Sequence, residues 1–201
     1  DVVSPLVRSP CRPINTMTIS FGHGLAVSPL QLASGAAAMV NGGIFHKPTL
    51  IRRDGMEPPQ GKRVISERTS REVRRLMRLV VENGTGRKAS AEGYLVGGKT
   101  GTADKPKRGG YSQRALISSF IGAFPITNPH YVVLVMLDEP RGNKSTHGYA
   151  TGGWVAAPVV KRVIERVAPL LRVQPTNEHS PEIKKELHIT FKREGRQLAS
   201  F

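Results

Sequence analysis

A chain of 201 residues, 38% hydrophobic and only 5% aromatic, is long enough to bury one core and too short for several. Thirty Lys and Arg against fifteen Asp and Glu give a net charge of +15, which favours polyanionic surroundings without choosing one. A single cysteine, Cys11, excludes an intrachain disulfide and a cysteine-based metal cluster, and the longest apolar stretches, Leu30 to Val40 and Val132 to Leu137, fall short of the roughly 20 residues of a membrane-spanning helix.

Residues 1–20 are rich in Pro, Ser and Arg and lack a period, so a loop or extended lead-in is expected there. The chain opens on Asp1 without a basic stretch running into an apolar one. A targeting segment is therefore expected upstream, and the chain is expected to be a fragment or a processed product. His23, in the turn Phe21-Gly22-His23-Gly24, has no second acid or base beside it and reads as structural. Cys11 lies beside no cation-rich helix end and receives no reactive role.

Ser28-Pro29-Leu30-Gln31 supplies an N-cap, a proline at the first helical position and a reciprocal Gln. A helix is predicted from Pro29 to Val40, ended by Asn41-Gly42-Gly43. Ile44 to Arg53 alternates as a short strand, and Pro58-Pro59-Gln60-Gly61 turns it back through Lys62 to Ser66 as a small hairpin. Thr69-Ser70-Arg71-Glu72 reads as a second capping box, opening a helix with Val73, Leu76, Met77 and Val80 on one face and its end at Asn83-Gly84. Charge gathers here: between Arg52 and Lys88 lie eleven basic and five acidic residues. Arg71, Arg74, Arg75 and Arg78 share a helix face with a spacing that suits a phosphate backbone. No aromatic residues interleave with them to stack bases, and no zinc-finger or RNA-binding-sheet signature is present, so a solvated outer face is expected and nucleic acid is not an expected partner.

A glycine-rich loop to Gly93 leads into a strand at about 94–103 that contains Lys99-Thr100-Gly101-Thr102. Two β-prone runs follow, Ala115 to Phe124 and Tyr131 to Asp138, joined by the six residues Pro125 to His130. So short a link forces them antiparallel, because a parallel pair needs a crossover of a dozen or more residues. Beyond a loop from Glu139 to Gly153, Val159, Val160, Val163, Ile164 and Val167 recur at helical spacing up to Pro169, and Trp154 is expected to anchor the start of that helix against the sheet. Residues 172–201 are polar and charged and are expected as a tail after a domain at 1–171, with a short strand at Leu187 to Phe191. The predicted class is mixed α/β (α+β), an antiparallel sheet covered by helices.

Gly93-Tyr94-Leu95-Val96-Gly97-Gly98-Lys99-Thr100 also fits the phosphate-binding pattern G-x-x-x-x-G-K-[ST]. That site needs a helix opening at the Lys-Thr, whereas Gly101, Pro106, Gly109 and Gly110 follow, each costing about 1 to 3 kcal/mol in a helix. The antiparallel pair at 115–138 is also wrong for a parallel nucleotide-binding sheet, and a nucleotide triphosphatase is disfavoured. The alternative for Lys99-Thr100-Gly101-Thr102-Ala103 is an edge strand facing a cleft, with a cation, two hydroxyls and a glycine that lets a substrate backbone approach. On those five residues alone, a surface lysine in a glycine-rich turn is an equal reading.

The setting favours the first. Ser20-Phe21-Gly22-His23-Gly24 runs into Val27-Ser28-Pro29-Leu30-Gln31-Leu32-Ala33. Asn41-Gly42-Gly43, Asn83-Gly84-Thr85-Gly86, Gly97-Gly98-Lys99-Thr100-Gly101-Thr102-Ala103, Phe120-Ile121-Gly122-Ala123-Phe124-Pro125 and Gly152-Gly153-Trp154-Val155-Ala156-Ala157-Pro158-Val159 follow in order. From Thr18 to Leu171 this resembles the class B, division-type penicillin-binding transpeptidases. The resemblance implies part of the penicillin-binding/β-lactamase-like transpeptidase fold, in the C-terminal half of the domain. It implies acyl transfer from a D-Ala-D-Ala stem peptide of peptidoglycan through an active-site serine that β-lactams also acylate, without metal or other cofactor. It implies a catalytic Lys99, carboxylate-binding hydroxyls on Thr100 and Thr102 beside Gly101, and the Thr102 backbone N–H as half of an oxyanion hole. His147 and Tyr149 would border the cleft from a surface loop. Cell-division membrane proteins are the implied partners, and the periplasmic face of the bacterial inner membrane, reached through an N-terminal anchor not in this chain, is the implied location.

One departure is plain. The family needs S-x-x-K and S-x-N, and none of the fourteen serines, Ser4 through Ser200, has Lys three residues on or Asn two on. The isolated chain is therefore expected to be inactive and, with core surface uncovered, open to self-association. A basic noncatalytic scaffold that binds division partners or an anionic surface is the alternative.

Overall fold

In the computed structural model, which describes residues 4–7, 12–20, 22, 24–51, 60–107 and 110–187, a three-stranded sheet is enclosed by helices on both faces. Its strands are β5 (Gly97–Lys107), β6 (Gly110–Phe124) and β7 (Tyr131–Asp138), in the order β5-β6-β7 and antiparallel throughout. Thr100 lies opposite Phe120 and Phe120 opposite Val135, so side chains two apart along each strand share a face. One face carries Phe120, Phe124, Tyr131, Val133, Val135 and Leu137 and packs on Ala157, Val160, Ile164 and Ala168 of the helix at Ala157–Leu170 (α5). The other face gives Ala123 and Val132 to a second cluster with Val40, Leu95, Ile126 and Leu187.

The helix at Pro29–Val40 (α2) forms with the predicted bounds: Ser28 Oγ accepts from the Gln31 N–H at 3.2 Å and Gln31 Oε1 accepts from the Ser28 N–H at 2.8 Å. Asn41 closes the turn after it, its side chain bonding both the N–H and the C=O of Ile44. The next helix (α3, Glu67–Asn83) starts earlier than the second capping box would place it. Ser66 is the cap, accepting from the Thr69 N–H. Ser70 is instead buried, donating to Met39 O at 2.7 Å and accepting from the Gly42 N–H at 3.0 Å, which satisfies backbone groups left over at the end of α2.

Several expectations change. The lead-in contains a helix, α1 (Pro13–Ile19), whose entry is closed by Asn15 Oδ1 accepting from the Arg12 N–H, and a two-residue pair of β1 (Leu6–Val7) with β2 (Leu25–Ala26). Arginine at the cap position hides that helix from a search for Ser, Thr, Asp or Asn. Of the expected hairpin, Ile44 to Arg53 returning through Lys62 to Ser66, the described residues pair only at β3 (Ile44–Phe45) against β4 (Lys62–Arg63); Pro48, which has no N–H to donate, lies beyond the paired residues. The turn at Pro58-Pro59, Cys11, His23 and the strand residues expected after Leu187 lie outside the described residues.

The arginine face is not uniformly solvated. Arg71 pairs with Glu67 in the open, Arg74 donates to Thr127 O, and Arg78 is only 5% exposed. Its Nε meets Glu82 Oε1 at 2.8 Å, its Nη1 the Val96 carbonyl at 3.1 Å and its Nη2 Glu178 Oε2 at 2.6 Å. Glu178 lies beyond the expected boundary at residue 171. Its other oxygen accepts from the Gly93 N–H at 2.7 Å, and the Thr176 N–H donates to Gly93 O. The helix at Pro181–Leu187 (α6) then places Leu187, 7% exposed, in the second core cluster. As far as Leu187, the stretch expected as a charged tail is docked on the body.

Removing one partner from a buried ion pair leaves the other charge desolvated. Glu178→Ala is expected to lower stability by about 3 kcal/mol in urea denaturation. Glu67→Ala, at the exposed pair, is expected to change it by less than about 0.5 kcal/mol.

Candidate active site

β5 is an outer strand of its sheet and carries the polar constellation. Residues 101–107 continue it as strand rather than helix, and the 115 and 131 segments run antiparallel, so the phosphate-binding reading of Gly93 to Thr100 is excluded. Strand alternation puts Thr100 and Thr102 on one face of β5 and Lys99 with Gly101 on the other. Lys99 is exposed, and its Nζ curls onto its own strand to donate to Thr100 O at 2.8 Å. Gly101 lies directly over Ser119: a Cβ there would sit 2.5 Å from Ser119 Oγ.

Both threonine hydroxyls are held from the protein side. Thr100 Oγ1 shares a 2.9 Å hydrogen bond with Thr85 Oγ1, on the loop between α3 and the 3-10 turn at Arg87–Ala89. Thr102 Oγ1 accepts from the Gly152 N–H at 3.0 Å. Gly152 opens the one-turn helix α4 (Gly152–Val155) and has no room for a side chain, since a Cβ would lie 2.2 Å from Ser119 O and 2.5 Å from Gly101 O. Ser118, buried beneath, donates to Ala150 O and ties the preceding loop to β6.

That loop is well braced. Asn143 Oδ1 accepts from the Thr146 N–H, Thr146 Oγ1 accepts from the Asn143 N–H, and the turn at Lys144–Thr146 ends on His147 at φ 52°. His147 and Tyr149 turn their rings onto Trp154, His147 edge-on and Tyr149 stacked at 20°, each 5.4 Å between centroids. Lys88 Nζ lies over the Trp154 ring, 4.3 Å from its centroid. Trp154 thus gathers the predicted cleft residues into one aromatic group two residues after the Gly152 junction. At the other end of β5, Lys105 reaches across the sheet to Asp138 (2.8 Å) and Glu139 (2.9 Å). The hydrogen bonds that it donates to Asp138 and then to Glu139 hold its ammonium above the ordinary lysine pKa of 10.5.

The strand therefore carries Lys99 on one face and Thr100 and Thr102 on the other, and three groups given no role by the sequence reading stand beside it: Thr85, Gly152 and Lys88. The signal for Thr85 is its place in the block Asn83-Gly84-Thr85-Gly86, between two glycines at a helix end, which assigns it no role. A cation and two hydroxyls along an exposed strand suit a carboxylate, where a unit-charge pair at 4 Å is worth roughly 4 kcal/mol near a protein surface before desolvation. The 710 Å³ cavity between α3 and α6, lined by Arg78, Arg87, Glu178 and Lys184 among others, includes none of residues 99–102. Among the described residues, no group of His, Cys, Asp or Glu is placed to hold a metal ion, and no helix is long and apolar enough to cross a membrane.

Residues 7–165 match the family model of the penicillin binding protein transpeptidase domain. A probable peptidoglycan D,D-transpeptidase FtsI of Caulobacter vibrioides is 46% identical over 168 residues, 79% of this chain and 28% of that protein. The transpeptidase domain of penicillin-binding protein 3 from Burkholderia pseudomallei superposes with a TM-score of 0.74 at 38% identity, over 84% of this chain and 50% of that one. Penicillin-binding protein 3 of Mycobacterium tuberculosis, in complex with ampicillin, gives 0.76 at 28% identity, over 90% and 43%. The chain spans less than a third of the curated relative and about half of each solved chain.

Gly152→Ala drives a Cβ into two backbone carbonyls and is expected to destabilise the chain by about 1–3 kcal/mol, with large amide shifts at Thr100 and Thr102 in a ¹⁵N–¹H spectrum. Gly35→Ala, inside α2 with nothing within 4 Å of the added carbon, is expected to be neutral or to stabilise by up to about 1 kcal/mol.

Proposed function

The chain belongs to the penicillin-binding protein transpeptidase family, and from that premise we propose that it is the carboxylate-binding, Lys-Thr-Gly side of a division-type peptidoglycan D,D-transpeptidase active site. The observation that carries the reading is the pair of hydroxyls on the outer strand, Thr100 and Thr102, each engaged from behind and flanked by Lys99. Thr102 Oγ1 already accepts from Gly152, so its proton is available for an anion in front of it.

In this reading the C-terminal carboxylate of a D-Ala-D-Ala stem peptide lies along β5. Thr100 and Thr102 donate to it, and Gly101, without a side chain, lets the peptide backbone come close. Lys99, released from Thr100 O, adds positive charge to the carboxylate and to the proton network around the nucleophile. The Thr102 N–H is one donor of the oxyanion hole, a role whose loss slows acyl transfer by about 10² to 10³ in other enzymes. A serine outside these 201 residues attacks the penultimate carbonyl, because no serine here carries the S-x-x-K context. The acyl-enzyme then passes to the amine of a neighbouring stem peptide, and β-lactams take the substrate's place. His147 and Tyr149, braced on Trp154, border the cleft. Division proteins of the membrane are the partners of the whole enzyme, which works at the periplasmic face of the inner membrane. No cofactor enters the scheme.

The scaffold alternative and the enzyme diverge in one experiment. Incubated with a fluorescent penicillin, the isolated chain is expected to gain no mass. Grafted in place of the matching segment of the Caulobacter relative, residues 7–165 are expected to support acylation that Lys99→Met slows by about 10² or more. An adduct on the isolated chain, or a graft that Lys99→Met leaves as fast as before, contradicts the proposal.

A further inference from the structure

We infer that Thr85 is a positioning residue that donates to the Thr100 hydroxyl when an anion is bound, and so strengthens the hydrogen bond that Thr100 donates to a carboxylate. The inference rests on the proposed reading of strand 99–102. It starts from an asymmetry between the two hydroxyls. Gly152 offers Thr102 an N–H, which can only donate, so the Thr102 proton is always free to point away. Thr85 offers Thr100 a hydroxyl at 2.9 Å, which can give or take a proton.

Thr85 is exposed, yet its backbone is tightly held. The N–H groups of Gly84 and Gly86, on either side of it, both donate to Val80 O, at 3.1 and 3.0 Å. Gly86 is buried against Phe120 and Val80, where a Cβ would come within 3.0 Å of both side chains. From the opposite side Gly153 packs on the Thr85 carbonyl, close enough that a Cβ would sit 2.4 Å from it. The segment 84–86 is therefore clamped between the last turn of α3 and the start of α4. A β-branched side chain on such a backbone has few rotamers, so its hydroxyl is presented to Thr100 at a fixed place.

With a carboxylate in front of the strand, Thr85 donates to Thr100 and Thr100 donates to the carboxylate. Two hydrogen bonds running in the same direction polarise one another and strengthen the outer one. With a neutral donor in front, such as an amide N–H, the same pair reverses, with Thr100 accepting from the ligand and donating to Thr85. Because a full negative charge polarises the donor pair more than a neutral group does, Thr85 favours an anion over its neutral analogue without touching either. Valine at 85 keeps the shape and removes the relay; serine keeps the relay and loses a methyl.

The test uses the ¹⁵N-labelled 201-residue chain titrated with N-acetyl-D-alanyl-D-alanine and with the C-terminal amide of the same peptide, read at the amides of residues 100–102. The native chain is expected to prefer the acid. Thr85→Val is expected to weaken acid binding by about fivefold with amide binding unchanged, and Thr85→Ser to restore the preference. Thr85→Ala is a second way to remove the hydroxyl should valine disturb the loop. If Thr85→Val and Thr85→Ala leave the acid-to-amide ratio at its native value, whether both ligands weaken equally or neither does, the inference is overturned. Thr100→Val separates this failure from a deeper one. If it abolishes the acid preference while the Thr85 variants do not, only the role of Thr85 falls; if the native chain shows no preference, or Thr100→Val has no effect, the carboxylate reading falls with it.

Discussion

The arrangement turns on the approach of the Gly152 backbone to the carbonyls of Ser119 and Gly101, a contact that no residue with a Cβ could make. From that point the Gly152 N–H reaches Thr102, and Gly153, one residue on, closes against Thr85, which holds Thr100. Trp154 follows and collects His147, Tyr149 and Lys88. One junction between a loop and a short helix thus sets the orientation of both hydroxyls on the outer strand and the position of the aromatic group beside them.

Stability and site geometry are carried by different layers. The sheet is pinned by α5 on one face and by α2, α6 and Leu95 on the other, with Phe120 and Phe124 among the fully buried side chains. Arg78 adds a buried ionic link that fastens residues 175–187 to α3 and to the approach to β5. Lys99, Thr85, Thr102 and Tyr149 remain at the exposed rim, where a polar group keeps its hydration until a ligand displaces it. A rigid interior that presents a wet polar strand is a sound basis for binding an anion, because the ordering of the donors precedes the ligand.

Much of this could be read from residue order. The cap at Ser28, the antiparallel turn before Tyr131 and the strand through Lys99-Thr100-Gly101 each depend on local chemistry, and each forms in the structure. What escaped reading depends on contacts far apart in the chain. Ser66 and Thr69 are both cap-forming types, and the long-range bonds of Ser70 to Met39 and Gly42 accompany the choice of Ser66. Arg78 looks like its exposed neighbours until Glu178, a hundred residues on, is placed beside it. Thr85 meets Thr100 across fifteen residues, in a loop with no periodicity to reveal its direction.

The most direct test of the central claim is a crystal structure of the Caulobacter relative carrying residues 7–165 of this chain, acylated by a β-lactam. The account predicts the ligand carboxylate within about 3.2 Å of both Thr100 Oγ1 and Thr102 Oγ1, with the Thr85–Thr100 bond intact. A carboxylate seated away from both hydroxyls would contradict it.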